Sequence, residues 1–176
     1  MKAGSEKAAK GAARDNHTDL NDNAVREISE ALNVTLADFF GLYLKTKNFH
    51  WHMNGPHFRD YHLMLDEQGD QIFASIDPLA ERVRKLGAKT ITSIAAIARS
   101  ASLKDNESAE VDPADMLIEL LEDNKAMAHS MREAHKLCDD AEDSGTAGLL
   151  ETFIDETERR TWFLFEASQA ADSSGH

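Results

Sequence analysis

Cysteine is nearly absent. Cys138 stands alone among 176 residues, so no disulfide can form within the chain, and a reducing compartment is the simplest setting. Proline is almost as scarce, with three copies, and Pro56 and Pro113 stand where a helix would turn or begin. No apolar run approaches the ~18 residues of a membrane span, and no apolar leader follows Met1. Neither a span nor a secretory signal is expected, and a cytoplasmic protein is the natural reading. Strand-like alternation never rivals the helical pattern, which argues against a sheet. Positive charge is also short: 19 Lys and Arg face 32 Asp and Glu, for a net −13. A body this acidic repels nucleic acid and attracts cations.

The basic residues that exist are uneven. Lys2, Lys7, Lys10 and Arg14 against Glu6 make residues 1–14 net +3. The Ala/Gly/Lys-rich segment lacks large apolar residues beyond Met1, so residues 1–19 are expected to be a flexible tail. Two readings of it stay open: a solubilising leader, or an arm that contacts DNA phosphates without reading sequence.

From about residue 20 to 169 the chain reads as helix. Val25, Ile28, Leu32, Leu36, Phe39 and Tyr43 recur at helical spacing. Asn54-Gly55-Pro56 interrupts that stripe. Ile72, Ile76, Leu79, Val83 and Leu86 form a second stripe, ended by Gly87 as a C′ residue. Asp112 as N-cap and Pro113 at N1 open a third helix, with Leu117, Leu120, Met127, Met131, Ala134 and Cys138 on its face. The stretch DSGTAG breaks it, and Leu150, Phe153, Ile154, Thr157, Thr161 and Leu164 line a fourth. Short turns near 54–57 and 143–146 join two antiparallel hairpins. The link over 88–111 is long and contains ITSIAAIA, too apolar to lie bare. An all-α four-helix bundle with one long crossover and a short extra helix within it accounts for the pattern. Residues 170–176 form a short C-terminal tail, and the two tryptophans, Trp51 and Trp162, are assigned to bundle packing.

Four of the eight histidines, His50, His52, His57 and His62, fall within NFHWHMNGPHFRDYHLMLDEQ. At ~100° per residue, His62, Asp66, Asp77 and Glu81 lie near 0°, 40°, 60° and 100° around the second helix, beside its core stripe. Imidazole with carboxylate is the donor mix for iron, zinc or manganese. The competing reading is a solvated acidic face; His52 and His57 are assigned to the loop. Distance then constrains the metal reading. Fifteen residues part His62 from Asp77, about 22 Å at ~1.5 Å per residue, so one helix cannot bring both pairs to one ion. Two antiparallel copies can. His62 and Asp66 of one chain would meet Asp77 and Glu81 of a twofold mate, giving two equivalent sites and an axis near Gln71 and Ile72. His50 could add a further ligand. No Glu has a His three residues downstream, which argues against a di-iron centre inside one bundle.

HWHMNGPHFRDYHLMLD resembles the His-Trp…Gly…Phe…His-x-x-x-Asp motif of the Dps proteins, the mini-ferritins named as DNA-binding proteins from starved cells. DPLAERVRKLG resembles their Asp-x-x-Ala-Glu-Arg…Gly. The likeness covers about residues 20–168. It implies a ferritin-like bundle in a hollow twelve-subunit shell that oxidises Fe(II) to Fe(III), preferably with hydrogen peroxide, and stores the ferric mineral, sparing DNA from oxidative damage. His50, His62 and Asp66 of one subunit would then act with Asp77 and Glu81 of its dimer mate, with Trp51 beside the iron and ITSIAAIA at the dimer interface. Tyr61 replaces the family's usual small aliphatic residue. Gly148 stands where many members place a pore aspartate, for which Asp139, Asp140, Glu142 and Asp143 could substitute.

Pro78 sits beside a candidate ligand. It either kinks the second helix while Asp77 still faces the partner, or starts a new helix that Asp77 caps. Three functions follow: a peroxide-dependent ferroxidase and iron store; a nucleoid-associated protein coating DNA through its tail; and a zinc or manganese buffer.

Overall fold

The computed structural model describes residues 18–169, which contain five α-helices and no strand. They are α1 (Asp22–His52), α2 (Phe58–Lys85), α3 (Ile94–Ser100), α4 (Pro113–Asp140) and α5 (Ser144–Ser168). The tail residues Lys2, Lys7, Lys10 and Arg14 lie outside the described residues, as do 170–176.

The apolar stripes of the four long helices meet in one core. Leu32, Leu36 and Phe39 of α1, Leu79 and Val83 of α2, Leu120 and Met131 of α4, and Leu150 and Leu164 of α5 are all buried. Helix ends follow local chemistry. Asn21 accepts a hydrogen bond from the Ala24 N–H, and Asp112 from the Ala114 N–H with Pro113 behind it. At the end of α2, the Gly87 N–H donates to Arg84 O and the Ala88 N–H to Val83 O. Gly87, at φ +84°, takes the left-handed conformation that this Schellman closure requires.

The crossover climbs the outside of α1. Asn33 Nδ2 donates to Lys89 O, and Asn48 Nδ2 to Ser108 O. Between them, buried Asp38 accepts hydrogen bonds from the backbone N–H of Ser102 and Leu103 and from the Ser102 hydroxyl. A carboxylate with three donors holds the strap to the bundle. α4 therefore starts at the end where α1 turns into α2, and runs parallel to α2. No helix among the described residues is long and apolar enough to cross a membrane.

Two expectations need correction, and one open alternative is resolved. The second hairpin turns at 141–143 rather than 143–146. Glu142 takes the positive φ of 58°, and Asp143 caps α5, so Ser144, Gly145 and Gly148 are helical. Turn-forming residues inside a helix read as a break because their propensities are weak beside a strong cap. Pro78 starts no new helix: α2 is continuous through it, and Asp77 caps nothing. Ala74, Asp77 and Pro78 are exposed, so water can serve the carbonyl that Pro78 deprives of a donor. Finally, Trp51 and Trp162 pack in no core; both are exposed on outer helix faces, and Trp162 Nε1 donates to Glu166.

Asp143 has a further role. Its Oδ1 lies 2.5 Å from Arg82 Nη2 and accepts the Thr146 N–H, while its Oδ2 accepts the Thr146 hydroxyl. Arg82 Nε also donates to Thr146 Oγ1 at 2.7 Å. Gly145 lets the guanidinium approach, since a Cβ there would stand 3.0 Å from both terminal nitrogens. The clasp ties α2 to the start of α5. Asp143→Ala strands the arginine and removes the cap, and should destabilise the protein by about 3 kcal/mol in denaturant unfolding, whereas exposed Asp140→Ala should change little.

Candidate metal centre

His50 ends α1 and His62 opens α2, so the tight turn between them lays one imidazole on the other. The rings stack at 3.7 Å between centroids and 18° between planes. His50 Nδ1 lies 2.8 Å from His62 O, and His62 Nδ1 lies 2.9 Å from His50 O. A carbonyl oxygen only accepts, so both Nδ1 atoms carry the proton and donate. In the neutral ring this tautomer leaves the lone pair on Nε2. This is the arrangement that fixes a metal-binding histidine's tautomer and aim.

Asp66 joins them one turn along α2, with Oδ1 3.7 Å from His50 Nε2. The same oxygen lies 2.5 Å from Lys47 Nζ. The hydrogen bond from Lys47 holds the Asp66 carboxyl below its ordinary range. Lys47 reaches it by lying across Gly69, where a Cβ would come within 3.0 Å of Lys47 Cδ. Sequence reasoning missed both residues. The readable signal was a lysine one turn before His50 on the same helix, opposite a small residue.

Asp77 and Glu81 are not part of this cluster. They lie further along the same unbroken helix, exposed, with Glu81 paired to Lys85 at 3.2 Å. Among the described residues no three of His, Cys, Asp and Glu come together to hold an ion. One chain therefore presents two incomplete donor sets on one side of α2. His52 and His57 stay apart from both: His52 Nδ1 bonds Asn48 O, and His57 leans on Tyr61. Trp51, next to His50, is exposed.

Asp139, Asp140 and Glu142 are exposed around the end of α4, where Asp139 Oδ2 meets His135 Nδ1 at 3.1 Å. Asp143 does not belong with them as a pore residue; it is buried, with both oxygens engaged in the clasp.

A second feature of the α2 face is apolar. Phe73 is 58% exposed although its ring meets Tyr43 at 5.2 Å. By the ~100° count it falls near 20°, inside the arc of the candidate ligands. Ile94 on α3 is 80% exposed, and α3 buries none of its residues.

The ferritin-like domain family model matches residues 29–170. DNA protection during starvation protein 1 of Deinococcus radiodurans is 32% identical over 149 residues, covering 85% of this chain and 72% of that protein. The chain belongs to the Dps group of the ferritin-like family. Its fold agrees with that of Dps from Thermosynechococcus elongatus at a TM-score of 0.84 and 27% identity, covering 88% of this chain and 98% of the other. It agrees equally with the Dps protein of Vibrio cholerae O1, described as one of the ferritin-like diiron-carboxylate proteins, at a TM-score of 0.84 and 26% identity over 90% and 99% of the two chains.

Replacing Lys47 with Met frees Asp66. Its carboxyl should then titrate at a higher pH than in the native protein, measured by carbon-detected NMR of the side chain. The sign follows from the depressed value. Stability supplied by the pair is present above the unfolded carboxyl pKa and is lost as pH falls through the folded one. Lys47→Met should lose that acid-side dependence.

Proposed function

We propose that this Dps protein oxidises Fe(II), preferably with hydrogen peroxide, at sites shared across a twofold dimer, and stores the ferric product inside a twelve-subunit shell. The observation that carries the reading is the stacked His50/His62 pair, with His50 Nε2 3.7 Å from Asp66 Oδ1 and no complete donor set among the described residues. Asp77 and Glu81 of a twofold mate are the donors within reach once two α2 helices run antiparallel. Phe73 lies close to the axis that this pairing requires and would bury against its counterpart.

Iron is substrate here. Each of two Fe(II) ions gives one electron; the peroxide O–O bond breaks, and its oxygens take both electrons and two protons to leave as water. Delivering the electrons as a pair avoids releasing hydroxyl radical. His50 and His62 supply neutral donors, and Asp66, Asp77 and Glu81 supply charge that favours Fe(III). Lys47 competes for Asp66 until the metal arrives. Asp139, Asp140 and Glu142 could line entry pores, and the net charge of −13 draws cations inward. Protection of DNA would follow from removing iron and peroxide together. The alternative is a nucleoid protein acting through its N-terminal basic residues, a reading favoured by the name of the Deinococcus relative. That binding would be salt-sensitive and indifferent to the iron ligands.

Complementation between subunits tests the shared site. His62→Ala/Asp66→Ala protein and Asp77→Ala/Glu81→Ala protein should each oxidise Fe(II) poorly. Co-refolded together, they should recover about a quarter of native sites, because each mixed dimer rebuilds one of its two centres. No recovery from confirmed mixed oligomers would sink the reading. Phe73→Asp should yield smaller species on ultracentrifugation and lose ferroxidase activity although its ligands are intact.

A further inference from the structure

Phe58 stands beside the histidine pair yet can donate nothing to a metal. It is the first residue of α2 and lies one helical turn before His62, so the two side chains share a face of the helix. Their ring centroids are 4.9 Å apart and their planes 30° from parallel. His50 already covers one face of the His62 imidazole, at 3.7 Å and 18°. A second ring cannot share that face at these separations without overlapping the first, so Phe58 lies against the opposite one. The His62 imidazole is therefore the middle layer of three, with a ring from α1 on one side and a ring from its own helix on the other.

Core packing does not account for this phenyl ring. Phe58 is 44% exposed, and it belongs neither to the buried core nor to the partly buried residues packed on it. The start of α2 also lacks a usual support. His57 stands at the N-cap but makes no side-chain cap hydrogen bond, and the first turn is closed by backbone bonds alone, Phe58 N–H to Gly55 O and Tyr61 N–H to His57 O, both at 3.1 Å. Helix ends without caps fray, and His62 lies just past that first turn. The hydrogen bond from His62 Nδ1–H to His50 O, at 2.9 Å, fixes one ring atom and leaves the imidazole free to pivot about it. His50 blocks the pivot on one side. Phe58 blocks it on the other.

We infer that Phe58 is a positioning residue for His62: its ring and that of His50 clamp the imidazole from both faces, keep Nδ1–H on the His50 carbonyl, and so hold Nε2 as the free donor atom. The clamp exists without metal. Its consequence for iron oxidation rests on the function proposed above, where a ligand held in place before the metal arrives binds at lower Fe(II) concentration.

The test uses the full-length assembled protein and two variants, Phe58→Ala and Phe58→Tyr. Because Phe58 lies outside the core, both should keep the native unfolding temperature. In metal-free, histidine-15N-labelled protein, magic-angle-spinning NMR should show a slowly exchanging His62 Nδ1–H, assigned by its loss in His62→Gln. Phe58→Ala should bring that proton into fast exchange with water, and Phe58→Tyr should restore it. With Fe(II) and peroxide, Phe58→Ala should raise the Fe(II) concentration for half-maximal rate about tenfold with little change in kcat, and Phe58→Tyr should again behave as native. The inference is overturned if the His62 proton stays protected in Phe58→Ala, whatever happens to oxidation. It is equally overturned if Phe58→Ala changes the sedimenting size, which would make Phe58 an interface residue. If the proton is lost as expected but the native protein oxidises no Fe(II), the clamp stands and the proposed function falls.

Discussion

The constraint on which the rest depends is the length of α2. His62 and Asp66 lie near its start, Asp77 and Glu81 near its end, and the helix is unbroken between them. The interval from His62 to Asp77, about 22 Å at ~1.5 Å per residue, is far beyond the reach of any side chain. A helix is rigid on that scale, so no rotamer change within one chain can close the gap. Either the two acidic groups are unrelated surface features, or a second α2 lies antiparallel to the first. The exposed Phe73, between the two pairs and within their arc, favours the second arrangement, because an isolated chain gains nothing by showing that ring to water. On the proposed reading, fold, assembly and chemistry are linked through this one helix.

The turn before α2 does the remaining positioning. Because Gly55 takes φ +92°, the chain reverses within a few residues, and His50 and His62 can each donate Nδ1–H to the other's backbone carbonyl. Those two hydrogen bonds select a tautomer and orient both rings. The Lys47–Asp66 pair then sets the electrostatics of the open side. Its ammonium stands against the carboxylate, so on the proposed reading metal entry would exchange one positive charge for another rather than fill a bare acidic hole.

Much of this was legible in the sequence because it depends on periodicity. Stripe residues such as Leu32, Ile72, Leu120 and Leu150 are buried, and the angular positions of His62, Asp66, Asp77 and Glu81 needed only the helical repeat. What was not legible depends on partners distant in the chain. Asp143 looked like one more acid in an acidic turn, until Arg82, sixty-one positions earlier, took its carboxylate. Lys47 carries no local sign of its role, because nothing in the sequence says that Gly69 clears its path. Trp51 and Trp162 read as bundle packing, yet no apolar stripe includes them and both are exposed. Pro78 left two readings open, and the continuous helix holds: its local penalty is real, but exposure lets water relieve it and the packing of Leu79 and Val83 carries the helix through.

The interior of the bundle explains why the candidate iron chemistry sits on an outer face. Bundles of this architecture can hold metals among inward-facing Glu and His residues. Here the buried polar side chains among the described residues include no glutamate, and His50 is the sole histidine, at the very end of α1. The position deep between α4 and α5 belongs instead to Arg160, anchored by Asn124 and Thr157. A fixed guanidinium in a low-dielectric core repels a metal cation. Substituting a carboxylate nearby would first be spent on pairing with that arginine. The cation in the core and the ligands at the surface are therefore two sides of one division. On the proposed reading, imidazole and carboxylate would instead meet on the α2 face, with a second chain supplying the remaining donors.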